Sequence, residues 1–447
     1  MELSRLRRGT TAAVLAVALS AGVAVTSAVA GTKLKPRGCL EDAGGPEDCA
    51  AASPALGGAS SIALSPDGEQ AYVTAFEDDA LVRLERDPRN GSLAAGQCIE
   101  DVGGPDTCVD SANGLNGALD LVISEDGRHL YTVGYNDSTL LHFRRTPRNG
   151  ELRLKTCVDD ADLPLASDVC GDGAGGAEGL GGPQGLALSP DGRWLYVAAQ
   201  LDSAAVQFRL NRRGKPVWRD CVEDDDKAFA DDCARNRQGL DDAQGIGVAG
   251  RSVYVAASSD DTVTHLRLNR ETGKLGYKGC VENRTPTGPD DCAQSAEGLH
   301  EAYSIGISPD GRYLYSGTIN DGSMAQFKLG RAGRLKSRGC VEAPFSPARC
   351  GTVAQGIGRA ADFAFDSRGR SLYVAGVNPI QPFKRKPGSG ELTEIPCIDD
   401  DDRPPSATKC TREAPGLNGV SSLSITPDDR FLYSAAGADS AVTTFRR

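Results

Sequence analysis

The chain has 447 residues, 49 Lys+Arg against 61 Asp+Glu, a formal net charge of −12 and only 5% aromatics. That acidic balance argues against nucleic acid as a partner, because phosphate binding rests on clustered Lys and Arg. Length alone would allow two or three domains, but an internal repeat overrides the count.

Residues 1–30 carry Arg5, Arg7 and Arg8, then an apolar run from Ala12 to Val25, then Ala28-Val29-Ala30. This is the pattern of a secretory signal peptide with cleavage after Ala30. The run is shorter than the ~20 residues a membrane helix needs, and no second apolar stretch follows. The expectation is a secreted or extracytoplasmic chain with no membrane span, in which residues 31–447 form one domain.

The segment TKLKPRGCLED at 32–42 resembles GKLGYKGCVEN at 273–283, which ends a complete repeat unit. Such a unit is clearest from Gly179 to Cys233. Its apolar runs LALS, WLYVAA and AAVQFRL are separated by Pro-Asp-Gly at 190–192, Asp-Ser at 202–203 and Arg-Arg-Gly at 212–214. A fourth, weaker run ends at Cys221. Short apolar runs between turn signals predict an antiparallel four-stranded meander. The first cysteine of each unit recurs at Cys39, Cys98, Cys157, Cys221, Cys280, Cys340 and Cys397, with spacings of 57 to 64 residues. A turn of SPDG type recurs at Ser65, Ser189 and Ser308, followed by a tyrosine in all seven units, Tyr72 to Tyr433. Seven such units predict an all-β, seven-bladed β-propeller. The chain stops at Arg447, just after the third-strand run AVTTFRR. The N-terminal segment should therefore supply the fourth strand of the last blade, removing two free edges.

Fourteen cysteines form seven neighbouring pairs: Cys39 with Cys49, Cys98 with Cys108, Cys157 with Cys170, Cys221 with Cys233, Cys280 with Cys292, Cys340 with Cys350 and Cys397 with Cys410. Regular, even placement in an exported chain predicts local disulfides, each contributing ~2–3 kcal/mol on the chain-entropy model. The spacing is far from CxxC, and four His residues cannot complete seven metal sites.

Between paired cysteines stand 25 acidic and five basic residues. These loops should share a face with Asp78, Asp137, Asp202, Asp260, Asp321 and Asp439. The opposite face should carry Arg86, Arg89, Arg144, Arg145, Arg148, Arg212, Arg213, Lys215, Lys384, Arg385 and Lys386. A disc of this kind would attract cationic ligands or proteins, or stack weakly and salt-sensitively on its own copies. The acidic loops also make calcium the one expected inorganic ligand, with Asp224, Asp225, Asp226, Asp231 and Asp232 as candidates, and Asp399 to Asp402 as a second run. No other cofactor is expected.

The units GPQGLALSPDGRWLYVAA and SSIALSPDGEQAYVTA resemble the YVTN-type repeats of lactonase-like seven-bladed propellers, which include phosphogluconolactonase-like and carboxymuconate-cyclase-like enzymes. The resemblance implies His, Arg and Glu at the starts of inner strands, often in a Gly-Pro-Arg-His-like run. Here that run is Gly182-Pro183-Gln184-Gly185, and the positions equivalent to Gly185 are Ser61, Asp120, Gly245, Ser304, Asp362 and Ser422. None is an imidazole. The first expectation is therefore a non-catalytic binding module. The alternative is a lactonase- or cyclase-like enzyme acting at the channel mouth through His300, Glu301, Asp120 and Asp362, with Tyr303, Gln184 and Gln244 nearby. His129, His142 and His265 fall in strand patterns and should pack.

Overall fold

The computed structural model describes residues 33–447 apart from 48, 106–107, 162–168, 172–175, 226–232, 285–291 and 402–408. Seven antiparallel sheets follow the repeats. Blade 1 runs Ala59–Leu64, Gln70–Ala75, Ala80–Arg86 and Leu93–Glu100 from axis to rim. The other inner strands are Ala118–Ile123, Pro183–Leu188, Ala243–Ala249, Ala302–Ile307, Ala360–Phe365 and Val420–Ile425. Second strands such as Gln70–Ala75 and Ser252–Ala257 are buried along their whole length. Each is covered on both sides by neighbouring blades, which is why these runs are apolar without alternation.

The ring closes as the sequence predicts. Lys35–Asp42 pairs antiparallel with Ala441–Arg446, with Lys35 opposite Arg446 and Glu41 opposite Ala441. Every cysteine is bridged within its own repeat. Cys39 is joined to Cys49, Cys98 to Cys108, Cys157 to Cys170 and Cys221 to Cys233. Cys280 is joined to Cys292, Cys340 to Cys350 and Cys397 to Cys410, and Cα separations over the seven bridges run from 4.8 to 5.4 Å. The blades also exceed the four-strand expectation. After the second cysteine, a short segment returns parallel to the outer strand, as Leu40 opposite Ala51 and Ile99 opposite Asp110. In blades 2 and 3 it shrinks to the single bridges Asp160–Ala177 and Glu223–Asn236.

Much of the acid in the disulfide loops turns inward. Three residues after the first cysteine, Asp42, Asp101, Asp160, Asp224 and Asp400 each accept the N–H of a leucine on the return path: Leu56, Leu115, Leu180, Leu240 and Leu417, at 2.8 to 3.2 Å. One residue earlier, Glu41 and Glu342 accept the N–H of Cys49 and Cys350 at 3.0 Å. Five of the six turn aspartates assigned to the acidic face are likewise engaged: Asp78, Asp137, Asp202, Asp260 and Asp439 accept the N–H of Gly57, Asn116, Gly181, Asp241 and Asn418. Unpaired N–H groups where the chain enters each inner strand demand acceptors, and these carboxylates supply them.

The opposite face is corrected in the same way. Arg86, Arg145 and Arg385, expected as open basic turns, are 7%, 1% and 2% exposed. Each donates from Nε to the hydroxyl of a tyrosine in the preceding blade (Tyr433, Tyr72 and Tyr315) and from Nη1 to a turn carbonyl (Gly68, Gly127 and Gly369). Arg447 does the same with Tyr373 and Asp429.

Candidate active site at the axial cavity

Where inner strands converge they enclose a cavity of about 310 Å³. All seven positions aligned with Gly185 line it: Gly185 itself, Ser61, Asp120, Gly245, Ser304, Asp362 and Ser422. Gly185 and Gly245 are required there, since a Cβ would collide with the main-chain oxygens of Gln244 and Tyr303 on the adjacent strand. At this position all seven inner strands carry a bulge, visible as a register shift between residues such as Ala302 and Ser304 or Ala118 and Leu121. The bulged residues include Gln184, Gln244 and Tyr303, which line the same cavity. Bulges re-aim side chains in this way beside functional sites.

Asp120 and Asp362 are the cavity's charged groups. Asp120 Oδ1 accepts from Ser61 Oγ at 2.9 Å and Leu121 N at 2.8 Å, and its Oδ2 from Leu186 N at 2.7 Å. Asp362 Oδ1 accepts from Phe363 N at 2.7 Å, and its Oδ2 from Ser422 Oγ at 3.1 Å and Leu423 N at 2.8 Å. Burial outweighs these donors and, with the charge of Asp362, pushes Asp120 up to about 6. Asp362 is raised for the same leading reason. Burial also raises the Tyr303 hydroxyl, which feels Arg359, Asp120 and Asp362.

His300 and Glu301 do not line the cavity. They immediately precede the inner strand Ala302–Ile307, whose Tyr303, Ser304 and Ile305 line it. His300 Nδ1 donates to Asp261 Oδ1 at 2.9 Å, with the Asp261 side chain fully buried and that of His300 33% exposed. The same oxygen accepts Glu301 N at 2.6 Å, while the Glu301 carboxylate meets the amide of Asn320. Partial burial opposes the charged ring. The Asp261 hydrogen bond and charge, followed by Asp321 and Glu301, outweigh it and hold His300 above its usual pKa. Glu301 has φ of +53° and Asp242 +61°, at the place where Gly58, Gly117, Gly182 and Gly419 stand in other blades. Two non-glycine residues held in the left-handed region are strain of the kind that collects at functional sites.

Sequence reasoning missed Asp261 and Arg359. Asp261 belongs to an inter-blade belt: Asp79, Ser138, Ser203, Asp261 and Ser440 each reach the N–H at the next blade's inner-strand entry, of Gly117, Gly182, Asp242, Glu301 and Gly58. The signal was the residue after each turn aspartate, aligned across repeats. Blade 5 has Gly322 there, and the exposed Arg359 occupies the following entry.

Of the calcium candidates, Asp224 is buried as the Leu240 cap and Asp225 is exposed, while Asp226, Asp231 and Asp232 lie outside the described residues. Asp400, from the second acidic run, meets Glu47 and Asp439 in a buried group whose carboxylate oxygens lie within 4.8 Å of one another. Those three accept the consecutive N–H groups of Leu417, Gly416 and Asn418. His129, His142 and His265 are packed, at 7%, 1% and 6% exposure.

No family model matches the chain. It is 21% identical over 269 residues to a 6-phosphogluconolactonase of Pectobacterium carotovorum subsp. carotovorum (strain PC1), an alignment spanning 59% of this chain and 66% of that protein. Among solved structures, the Pseudomonas aeruginosa periplasmic gluconolactonase superposes with a TM-score of 0.51 at 17% identity, over 76% of this chain and 84% of that one. The U3-55K protein superposes at 0.55 with 13% identity, over 87% and 95%. The fold is thus shared with proteins of different names, and the sequence and structural likeness is to lactonase-like seven-bladed propellers. No helix among the described residues is long and apolar enough to cross a membrane. Seven disulfides fit an oxidising compartment.

Proposed function

We propose that this protein is an extracytoplasmic lactone hydrolase working at the mouth of the axial cavity. The observation that carries the reading is the His300–Asp261 pair, a part-exposed imidazole oriented by a buried carboxylate. Asp261 fixes the proton on Nδ1, leaving Nε2 as the base. His300 Nε2 takes a proton from water as the oxygen attacks the lactone carbonyl, and Arg359 balances the negative charge that develops on the carbonyl oxygen. The imidazolium then protonates the ring oxygen as the C–O bond breaks, giving a hydroxy acid. Serine hydroxyls and Gln184 in the cavity match a polyhydroxylated substrate. The lactonase names of the relatives support this reading over the binding module that the Gly182–Gly185 run first pointed to.

The test is a pH-stat assay of the oxidised protein with glucono-δ-lactone, corrected for spontaneous opening. The rate is expected to rise with pH through a pKa above 6.5, because His300 must be unprotonated to act. His300→Ala should lower kcat by about 10²–10⁴-fold. Unchanged turnover in that variant, or no turnover by the native chain, sinks the reading.

A further inference from the structure

The outer strands repeat a feature that neither the disulfides nor the axial cavity uses. Two residues before the first cysteine the pairing with the third strand slips, as where it passes from Gly38 to Pro36 or from Thr156 to Leu154. The skipped residue is Arg37, Lys155, Arg219, Lys278 or Arg338 in blades 7, 2, 3, 4 and 5. All five are exposed. The same position is Gly96 in blade 1 and Ile395 in blade 6, so no blade places an acid there. A bulge re-aims the side chain it carries. Among the described residues none of the five basic groups takes part in an ion pair.

Arg37 opens onto a groove. Between blade 7 and the third-to-fourth turn of blade 1 lies a cavity of about 440 Å³, lined by Arg37, Arg89 and Arg446 together with Asn90, Ser92 and Thr444. No carboxylate lines it. Arg89 and Arg446 also have no ion pair among the described residues. Register sets the direction of Arg446. It stands opposite Phe431 on the adjacent strand, and directly paired residues project from one face of a sheet. That face turns toward blade 1, because Phe431 packs in one cluster with Leu84 and a Cβ on Gly91 would strike its ring. The equivalent groove one junction on has Gly96 for Arg37, and Asp110 and Glu151 line it beside Arg83 and Arg153. The fold provides the groove, and the unopposed positive charge belongs to the ring-closing blade. Like charges gathered in this way repel one another unless an anion joins them.

We propose that this groove anchors an acidic polysaccharide, a chain of uronate residues, on the rim of the disc. Guanidinium groups take carboxylates through paired, charge-assisted hydrogen bonds. Asn90, Ser92 and Thr444 offer partners to ring hydroxyls, while Leu40 and Leu93 present carbon to the face of a sugar. The volume falls within the roughly 300–1,000 Å³ of small-ligand sites, enough for a short stretch of such a chain. Lys155, Arg219, Lys278 and Arg338 extend the contact over four successive blades. The acidic balance of the whole chain does not oppose this, because at about 0.1 M salt charges act over only about 10 Å.

Calorimetric titration with an oligogalacturonate tests the proposal, with uncharged dextran as the control. The native chain should bind the uronate and not the dextran. Raising the ionic strength from about 0.01 M to about 1 M shortens the screening length from about 30 Å to about 3 Å and should abolish binding. Arg37→Ala combined with Arg446→Ala should weaken the oligomer severalfold. Arg368→Ala, which removes an exposed arginine from an inner-strand turn, should leave it unchanged. Lys278→Ala combined with Arg338→Ala should weaken long polygalacturonate and spare the short oligomer. No binding by the native chain, equal binding of dextran, equal losses in the Arg37–Arg446 and Arg368 variants, or a polymer indifferent to Lys278 and Arg338 overturns the inference. So does tighter binding of polyphosphate or of anionic phospholipid vesicles, which would assign the groove to phosphate. No lactone enters the measurement, so its failure is distinct from failure of the hydrolase reading.

Discussion

Four blade junctions are tied by arginine and three are not, and the two groups occupy separate arcs of the ring. Between blades 5 and 6, 6 and 7, 7 and 1, and 1 and 2, the residue at or just past the end of the incoming third strand is Arg385, Arg447, Arg86 or Arg145, bonded to the preceding tyrosine. At the other three junctions that position is Leu210, Leu268 or Leu329. There Tyr131 and Tyr254 donate to the carbonyls of Gly214 and Gly333, at 2.7 and 2.5 Å, and stack on His142 and His265, while Tyr196 has the side chain of Gln207 as its polar neighbour. Leucine contributes burial without direction, whereas a guanidinium fork satisfied on several sides fixes the angle between two blades. The arginine arc is centred on blade 7, the one blade assembled from both ends of the chain. Directional ties are concentrated where chain continuity does least.

The most severe way to break this contrast is to remove the outer strand of blade 7. Deleting residues 33–42 strips the partner of Ala441–Arg446. It should lower the melting temperature by well over ten degrees or abolish a cooperative transition in calorimetry. An unchanged transition would mean that the arginine arc holds the ring without its closing strand. A smaller effect separates the arcs themselves. Arg145→Met strands the carbonyl of Gly127 and the Asp67 carboxylate, and should cost about 3 kcal/mol in denaturant unfolding. The matched Leu268→Met should cost under about 1.5 kcal/mol. Equal losses would show that the two kinds of junction are energetically interchangeable.

The finest distinction is in pH. His142 pairs with His129 at 2.8 Å, and its pKa is lowered from 6.5 to about 4, by burial first and then by His129, Arg144 and Lys155. Its folded value lies below its unfolded one, so the unfolded chain takes up the proton first as pH falls. Stability associated with neutral His142 is complete above 6.5 and drains between 6.5 and about 4. The slope is at most about 1.4 kcal/mol per pH unit. His142→Gln should flatten the stability profile in that window, whereas Arg145→Met should leave its slope unchanged. A native profile already flat there would remove the distinction.

The architecture was legible because it rests on spacing. Cysteine period, turn chemistry and the unmatched first strand determined blade number, staples and closure, and aligning the repeats on Gly185 identified the whole cavity ring. Direction was not legible. A count of acidic loop residues carries no sign of which way they turn, and Asp42 and Asp224 turn inward because backbone N–H groups on the return path lack other acceptors. Arg86 and Arg145 read as turn charges because their tyrosine partners lie in other repeats. His300 was found as an unusual residue, but its partner Asp261 is 39 residues earlier and in another blade.

The disulfide loops have a consequence for engineering. Nine to twelve residues separate the paired cysteines, yet both ends of every loop are pinned by the bridge and by the parallel return segment. Once the loop carboxylates that cap the return path, such as Asp42, Asp101 and Glu47, are kept, the rest of the segment between those pins can change length without passing a register error to the sheet behind it. The perimeter of the disc therefore behaves as seven interchangeable cartridges, able to display foreign peptides at fixed angular intervals while the outer strands stay closed to templated strand addition.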